Sequence, residues 1–441
     1  MKIWGGRFWW VGMGAASVLL GERIVSPASL YQVPNCSAAP DQLKLVQIVF
    51  RHGARTPLTD SYWAGVKWEA GNDCGILPGA LQLAVTDLNG GPQPPLSHDA
   101  VQARTQLPGG CTKGELTKLG QQQARELGSW LRQQYIEKYG FLPPDYREGL
   151  VLGRTTNYRR TIATLQGVMT GMYPDAQQVI AIQTAPDVDE ILFGRTDSCE
   201  RLRNLMKAQA RSLKESAQTD EGIRALEQSV QSALGLPGNH RVHFTDLHDA
   251  MTSMRFHGKA LPPGMSEELL LAVNREATRR MTALVAPQAS EQHGPEMLRL
   301  SMGNLFEQIV GRMAAAAGGA DPCPLFMYSG HDTTIMPILA TLGVQLKDWP
   351  EYVSNVVFEL WEKNEQGESK HYVRVLYNKQ PLSLAKHPEG EPIELEQFEA
   401  VYLKPYILSS QQYKEECEVK FDHTAPAPSS AVGGGSAVQG L

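Results

Sequence analysis

Lys44-Leu45-Val46-Gln47-Ile48-Val49-Phe50-Arg51-His52-Gly53-Ala54-Arg55-Thr56-Pro57 is the stretch on which the reading of this chain turns. Its first seven residues are mostly apolar and β-prone, the pattern of a short strand buried in a sheet. The run passes directly into Arg51-His52-Gly53, with Arg55 two residues further on. A buried strand that delivers charge at its carboxyl end fits an open α/β sheet, where ligands sit in the crevice beyond the strand ends.

The segments around it repeat the alternation. The spacing of Leu116, Leu119, Leu127, Trp130 and Leu131 predicts a long amphipathic helix over Gly114 to Tyr139. Short apolar runs at Gly149–Gly153, Gln178–Gln183 and Leu325–Tyr328 read as strands, and a helix is expected over Asn157–Gly171. Val353–Trp361 and Tyr372–Tyr377 read as two adjacent late strands. The expected fold is α/β, a three-layer sandwich over a mostly parallel sheet. Residues 43–190 and 318–420 make its core, and the largely helical stretch 191–317 is an inserted cap. From Asp60 to Lys113 the sequence is irregular apart from a strand-like Leu81–Leu88, and a loop of this length is usually functional. Trp63 and Trp68 within it are candidates for an apolar mouth, or for simple loop packing.

The 441 residues carry a formal net charge of -6, so nothing suggests a nucleic-acid partner, whose footprint would be basic. Any positive site must be local. Residues 1–35 hold Lys2 and Arg7 at the start of an apolar run, Phe8 to Leu20, too short for a comfortable membrane span. It reads as a secretory h-region, a short anchor giving membrane association, or an organelle presequence. Residues 424–441 are rich in Ala, Pro, Ser and Gly and read as a disordered tail. Six cysteines, Cys36, Cys74, Cys111, Cys199, Cys323 and Cys417, contain no C-x-x-C pair, which argues against a zinc or redox site; disulfides or buried thiols both remain open.

Chemistry concentrates at three strand ends: Arg51, His52 and Arg55; Arg154; and His331 with Asp332. Arginines gathered in one crevice repel one another unless a multivalent anion joins them, and their forked donors match phosphate oxygens. Beside them an imidazole is hard to protonate and stays nucleophilic. Attack of His52 on phosphorus would give a phosphohistidine, with Asp332 protonating the leaving oxygen. Arg51, Arg55, Arg154 and His331 would hold the phosphate, and no metal or other cofactor is required. His240, His243, Asp246, His248 and Asp249 crowd together without a recognised metal spacing and read as a polar cap surface. A phosphate binder without turnover is the rival expectation, although binding alone needs neither a nucleophile nor an acid.

In these motifs the chain resembles the histidine acid phosphatase family, whose hallmark is R-H-G-x-R-x-P after the first strand. Arg154-Thr155-Thr156-Asn157-Tyr158-Arg159-Arg160-Thr161 matches the family's R-x-T-x-x-x-R-T-like segment, and His331-Asp332-Thr333-Thr334 its late H-D. Gly114-Glu115-Leu116-Thr117-Lys118-Leu119-Gly120 and His257-Gly258-Lys259-Ala260-Leu261-Pro262 fit as well, so the likeness spans about residues 43 to 420. The related cofactor-dependent phosphoglycerate mutases share R-H-G without the R-x-P continuation. The resemblance implies acid hydrolysis of phosphomonoesters, with His52 the nucleophile, Asp332 the proton donor, and Arg51, Arg55, Arg154 and His331 the phosphate ligands. Val85-Thr86-Asp87-Leu88-Asn89-Gly90-Gly91-Pro92 with Gly109-Gly110 is most similar to the lysophosphatidic acid phosphatase (type 6) branch. That branch implies a lysophospholipid substrate and a mitochondrial location. Inositol phosphates or other small phosphomonoesters, and the secretory pathway, are the alternatives.

Overall fold

The computed structural model describes residues 42–420 apart from 60–61, 63–64, 321–322, 385–386 and 388–389. The N-terminal segment, Cys36, Trp63 and the C-terminal tail therefore lie outside the described residues. Nine strands form one mixed sheet: β1 (Gln42–Arg51), β2 (Leu83–Thr86), β3 (Val151–Thr155), β4 (Ile180–Thr184), β5 (Leu325–Gly330), β6 (Asn355–Glu365), β7 (Glu368–Tyr377), β8 (Gln380–Pro381) and β9 (Ile393–Glu394). The order is β2-β4-β3-β5-β1-β6-β7-β8, with β9 also on β7. The first five strands in that order are mutually parallel, and β6 begins an antiparallel extension. The two late strands expected from sequence are the long β6–β7 hairpin.

Around the sheet lie α1 (Ser97–Ala103), α2 (Lys118–Leu131), α3 (Arg159–Met172), α4 (Glu200–Thr219), α5 (Glu221–Leu234), α6 (Phe244–Phe256), α7 (Glu267–Val285), α8 (Gly294–Ala317), α9 (Asp332–Thr341), α10 (Leu395–Phe398) and α11 (Ser410–Glu418). Strand β1 shows why three layers form. Its side chains alternate with the pleat. Leu45 and Val49 join a core with Leu305, Phe306 and Ile309 of α8 and Ile335 and Leu339 of α9. Val46, Ile48 and Phe50 join a second core with Leu127 and Leu131 of α2 and Leu165 and Val168 of α3. Both faces of the strand are thus covered by helices, as its unbroken apolar run requires.

The expected long helix starts at Lys118 rather than Gly114, because Thr117 is its N-cap and accepts a hydrogen bond from the Gly120 N–H at 3.2 Å. It continues past Leu131 as a π-helical turn, Arg132–Lys138. The helical stretch 191–317 is divided by its packing. Helices α5 to α7 bury a cluster of their own with Val230, Phe244, Leu247, Met251 and Val273. Helix α8 instead belongs to the sheet layer just described. Disulfides Cys74–Cys111 and Cys199–Cys417 tie the 60–113 loop to itself and α4 to α11, while the Cys323 thiol bonds to the Leu325 carbonyl at 3.4 Å. Among the described residues no helix is long and apolar enough to cross a membrane.

Helices α2 and α3 cross at close range on glycines. A Cβ added at Gly128 would lie 2.0 Å from the Val168 carbonyl oxygen, which is backbone and cannot swing aside. Gly128→Ala should therefore cost about 1–3 kcal/mol of overpacking strain, read as a lower urea midpoint. A midpoint equal to wild type would contradict this tight crossing.

Candidate active site

The cleft opens where β1, β5 and the start of α3 converge at the carboxyl edge of the parallel strands. Arg51 ends β1, and His52 and Arg55 follow in a loop pressed onto α2. A Cβ at Gly53 would stand 2.3 Å from the Gly120 carbonyl oxygen, and one at Gly120 2.0 Å from the Ala54 carbonyl oxygen. Only bare backbones pass at this distance, which explains the glycine after His52. Hydrogen bonds fix the loop further: the Gly53 N–H donates to Thr164 Oγ1 at 3.1 Å and the Ala54 N–H to Gln123 Oε1 at 2.8 Å.

His52 is buried, and its Nδ1 lies 2.9 Å from the Gly53 carbonyl oxygen. A carbonyl can only accept, so Nδ1 carries the hydrogen and Nε2 keeps its lone pair. Burial first, then the charges of Arg160, Arg55 and Arg51, hold its pKa well below the usual imidazole value. The nucleophilic form therefore persists in acid. His331 lies 5.6 Å away between ring centroids, and its Nε2 is 3.0 Å from Thr156 Oγ1. Burial and then Arg160 lower its pKa too, against the pull of Asp332.

Three guanidinium groups surround this pair. Arg51 donates to the Pro350 carbonyl, stacks over Tyr352 at 4.6 Å and contacts Asp332 Oδ2 at 2.9 Å. Arg55 contacts Asp249 Oδ1 at 2.7 Å; burial is the largest single influence and opposes its charge, but Asp249, Tyr352 and Asp332 together raise its pKa. Arg160, in the first turn of α3, donates to Gln102 Oε1 at 2.9 Å and stacks over Tyr158 at 4.6 Å. Burial, then repulsion from Arg55, lowers its pKa to about 10. The Nε atoms of all three are buried without a protein acceptor. Donors left in this state around a neutral imidazole are a receptor for an oxyanion.

The sequence had pointed to Arg154 as the third arginine, and the structure corrects that to Arg160. Arg154 lies inside β3, where alternation sends it to the sheet face opposite Gly153, which packs on Leu165 of α3. There it contacts Gln308 Oε1 of α8 at 3.4 Å and Glu190 Oε1 at 3.5 Å, away from the cleft. The signal lay in the same motif, since Arg160 opens the helix that follows β3, and a helix start at a strand end suits an anion.

Asp332 begins α9; its Oδ2 forms an ion pair with Arg51 at 2.9 Å and accepts a hydrogen bond from the Trp349 indole N–H, also at 2.9 Å. Burial alone would raise its pKa, but Arg51, Trp349 and Arg55 together hold it at about 2. The carboxyl is therefore ionised in the unliganded cleft. Beyond these groups the cavity, about 430 Å³, is lined by the apolar Leu58, Phe193, Met206, Met281 and Val285 and, besides the arginines and Asp332, by other polar residues. Asp246, His248, Asp249 and Thr252 of α6 are among these, and the Leu58 N–H donates to Asp249 Oδ2 at 2.8 Å. Part of the stretch read as polar cap surface therefore faces the cleft; its i, i+3, i+4 spacing on α6 was the available signal. Trp68 does not reach the cavity: it is buried beside the Cys74–Cys111 disulfide. Among the described residues the one cluster of metal-type donors is Cys74, Cys111 and Glu115, whose two sulfurs are bonded to each other.

Two outcomes follow from this electrostatic arrangement. Inorganic phosphate should raise the Tm of the wild type and of Arg154→Ala, but much less that of Arg160→Ala. Equal phosphate shifts in the two variants would return Arg154 to the site. The second concerns pH. His52, His331 and His248, the last held at about 4 chiefly by burial, titrate below the ordinary value of 6.5. As pH falls through 6.5 the unfolded chain takes up protons that the folded one refuses, so stability drops between pH 6.5 and about 4. Asp332 adds a further loss only below its ordinary 3.8, towards about 2. Thermal melts of the phosphate-free protein should show Tm falling from pH 7 to 4, and His52→Gln should flatten that slope.

Known proteins share both the motifs and the fold. Residues 42–378 match the model of the histidine phosphatase superfamily (branch 2). The chain is 27% identical over 433 residues to lysophosphatidic acid phosphatase type 6 of Mus musculus, covering 92% of this chain and 97% of that one. It is likewise 27% identical over 392 residues to counting factor 60 of Dictyostelium discoideum, covering 83% and 88%. Among solved structures, the Hafnia alvei phytase in complex with tartrate superposes with a TM-score of 0.55 at 16% identity, over 85% of this chain and all of that one. The Bifidobacterium longum multiple inositol polyphosphate phosphatase superposes with a TM-score of 0.54 at 11% identity, over 86% and 96%. A sheet that ends in R-H-G-A-R, a late H-D and a family match across most of its length make this chain a member of branch 2 of the histidine phosphatase superfamily and a phosphomonoester hydrolase.

Proposed function

We propose that the protein hydrolyses lysophosphatidic acid, or a closely similar phosphomonoester with one apolar tail, through a phosphohistidine on His52. The observation that carries the substrate reading is the layout of the cleft: one arginine cluster, then an apolar wall. Among the described lining residues the only lysine or arginine side chains are Arg51, Arg55 and Arg160, all gathered about His52. A polyphosphorylated inositol would bring several further charges with no cation to meet them, and Asp246 would repel them. A single phosphate followed by an alkyl chain meets arginines and then Phe193, Met206, Met281 and Val285. The mouse relative named for lysophosphatidic acid supports the same choice.

The geometry supports a two-step reaction. The phosphate enters as a monoanion, common in acid because the second ionisation of a phosphate monoester lies near pH ~6. Nε2 of His52 attacks phosphorus as the ester P–O bond breaks, while Arg51, Arg55 and Arg160 offset charge on the phosphoryl oxygens. The proton of the monoanion passes to the Asp332 carboxylate and on to the departing oxygen, so the alcohol leaves neutral. Nδ1–H, held by the Gly53 carbonyl, shares the positive charge that the ring acquires. Water then attacks phosphorus as the P–Nε2 bond breaks; Asp332 accepts its proton and passes it to the departing phosphate, so His52 and Asp332 are both restored. The disulfides Cys74–Cys111 and Cys199–Cys417 favour an oxidising compartment, which supports the secretory alternative over the mitochondrial one.

Rapid quenching with ³²P-labelled substrate should trap acid-labile label on wild type and none on His52→Ala. Turnover without such label would remove the covalent mechanism. For the substrate, kcat/KM on lysophosphatidic acid should exceed that on inositol hexakisphosphate by about tenfold or more, as a tail in an apolar pocket contributes ~1–3 kcal/mol. Met281→Asp should narrow the ratio. A preference for the inositol ester would replace the lipid reading and leave the phosphohistidine step intact.

A further inference from the structure

Trp349 belongs to none of the motifs, yet it occupies the point where the cleft's two carboxyl-end segments meet. It lies in the loop between α9 and β6, and its indole N–H donates to Asp332 Oδ2 at 2.9 Å. The same oxygen receives Arg51 at 2.9 Å. An ion pair and a hydrogen bond thus converge on Oδ2, whereas among the described contacts Oδ1 accepts only the neighbouring Thr333 N–H, also at 2.9 Å. The indole is itself oriented: its ring lies against the His248 imidazole, with centroids 4.6 Å apart and planes at 30°.

The rest of this loop grips the catalytic segment in the same way. The Pro350 carbonyl accepts from Arg51, Tyr352 lies under the Arg51 guanidinium, and the Val353 N–H donates to the His52 carbonyl at 3.2 Å. Val353 has φ of 54°, a left-handed conformation that a β-branched residue adopts only under strain. A strained residue retained where the chain touches the nucleophile indicates that the loop is held in place for position.

We propose that Trp349 is the positioning residue of the general acid: by occupying Oδ2 together with Arg51, it directs the catalytic proton to Oδ1 and fixes that oxygen towards the leaving group. The inference rests on the reading of Asp332 as the acid. A carboxyl group with both oxygens equally exposed would share the proton between them and rotate about its Cβ–Cγ bond. Here the indole and the guanidinium remove that freedom, so one oxygen shuttles the proton in both steps. The charged and titratable groups facing Asp332 are Arg51 and Arg55 from β1 and its loop, Arg160 from α3, His331 beside it and His248 from α6. Of these, only Arg51 contacts Oδ2 among the described contacts, and the hydrogen bond to that oxygen comes from the Trp349 indole.

The test uses kcat/KM for p-nitrophenyl phosphate and for an alkyl phosphate, since only the poor leaving group needs its proton. Trp349→Phe keeps the ring against His248 and removes the N–H. It should raise the nitrophenyl-to-alkyl ratio by roughly 10- to 100-fold, the penalty typical of a misplaced catalytic group. Asp332→Asn should raise the same ratio at least as far, and adding Trp349→Phe to it should change the ratio no further. An unchanged ratio in Trp349→Phe, or a full extra effect in the double variant, would overturn the positioning role while leaving Asp332 as the acid. An unchanged ratio in Asp332→Asn would instead remove the acid itself. If Trp349→Phe folds poorly, the indole N–H resonance of the wild type gives an independent reading. It should move upfield in Asp332→Asn, and a resonance indifferent to that substitution would overturn the contact.

Discussion

The burial of three guanidinium groups around one neutral imidazole is the constraint on which the rest of the structure depends. Like charges this close are tolerable only if the protein supplies partial compensation and leaves the remainder for a ligand. Asp332 serves Arg51 and Asp249 serves Arg55, each through one contact, and Gln102 offers Arg160 only a neutral oxygen. The depressed pKa of Arg160 expresses that deficit. On the proposed function a phosphate would supply the missing charge, without any of the three buried arginines moving into solvent. The parallel strands set the arginines at one edge, and α2 and α3 press the His52 loop into place through glycine contacts.

The same constraint explains how an overall acidic protein can bind an anion. The net charge of -6 is spread over 441 residues and acts across water, where it is screened. The three arginines are buried and act at short range, where a charge shielded from water counts for far more. That local field also keeps His52 unprotonated in acid, so the conditions that supply the phosphate monoanion do not remove the nucleophile. An exposed histidine would lose its lone pair just where the monoanion becomes abundant.

How much of this could be read from the sequence depended on the range of the physics involved. The strand before Arg51 was legible because its burial on both faces leaves an unbroken apolar run; that Gly53 is required by a backbone contact with Gly120 shows only in the structure. The helices α2 and α3 were legible by period. Arg154 was misassigned because strand alternation and helix start compete within one motif, and only the end of β3 at Thr155 settles which arginine turns inward. The apolar lining is not legible in the sequence for a different reason. Phe193, Met206, Met281 and Val285 come from three separated segments, and no local pattern marks a methionine on α4 as the neighbour of one on α7. Trp68, more conspicuous in sequence, packs on a disulfide instead.

Trp349 shows the limit of motif reading most clearly. Nothing in Lys347-Asp348-Trp349-Pro350 distinguishes a catalytic support from an ordinary loop aromatic. Its importance comes from Asp332 having been placed at the start of α9, with one oxygen tied to the adjacent backbone N–H and the other left in need of donors. A low-pKa carboxylate suits acid chemistry only if the substrate brings the proton, and then its value lies in where that proton is held during transfer. An enzyme built this way has little use for a carboxyl that titrates near its working pH. On the proposed mechanism it would need one whose geometry is fixed, and the loop from Trp349 to Val353, through the indole on Oδ2 and its grip on Arg51, would supply that fixity from a part of the chain that contributes no reacting atom.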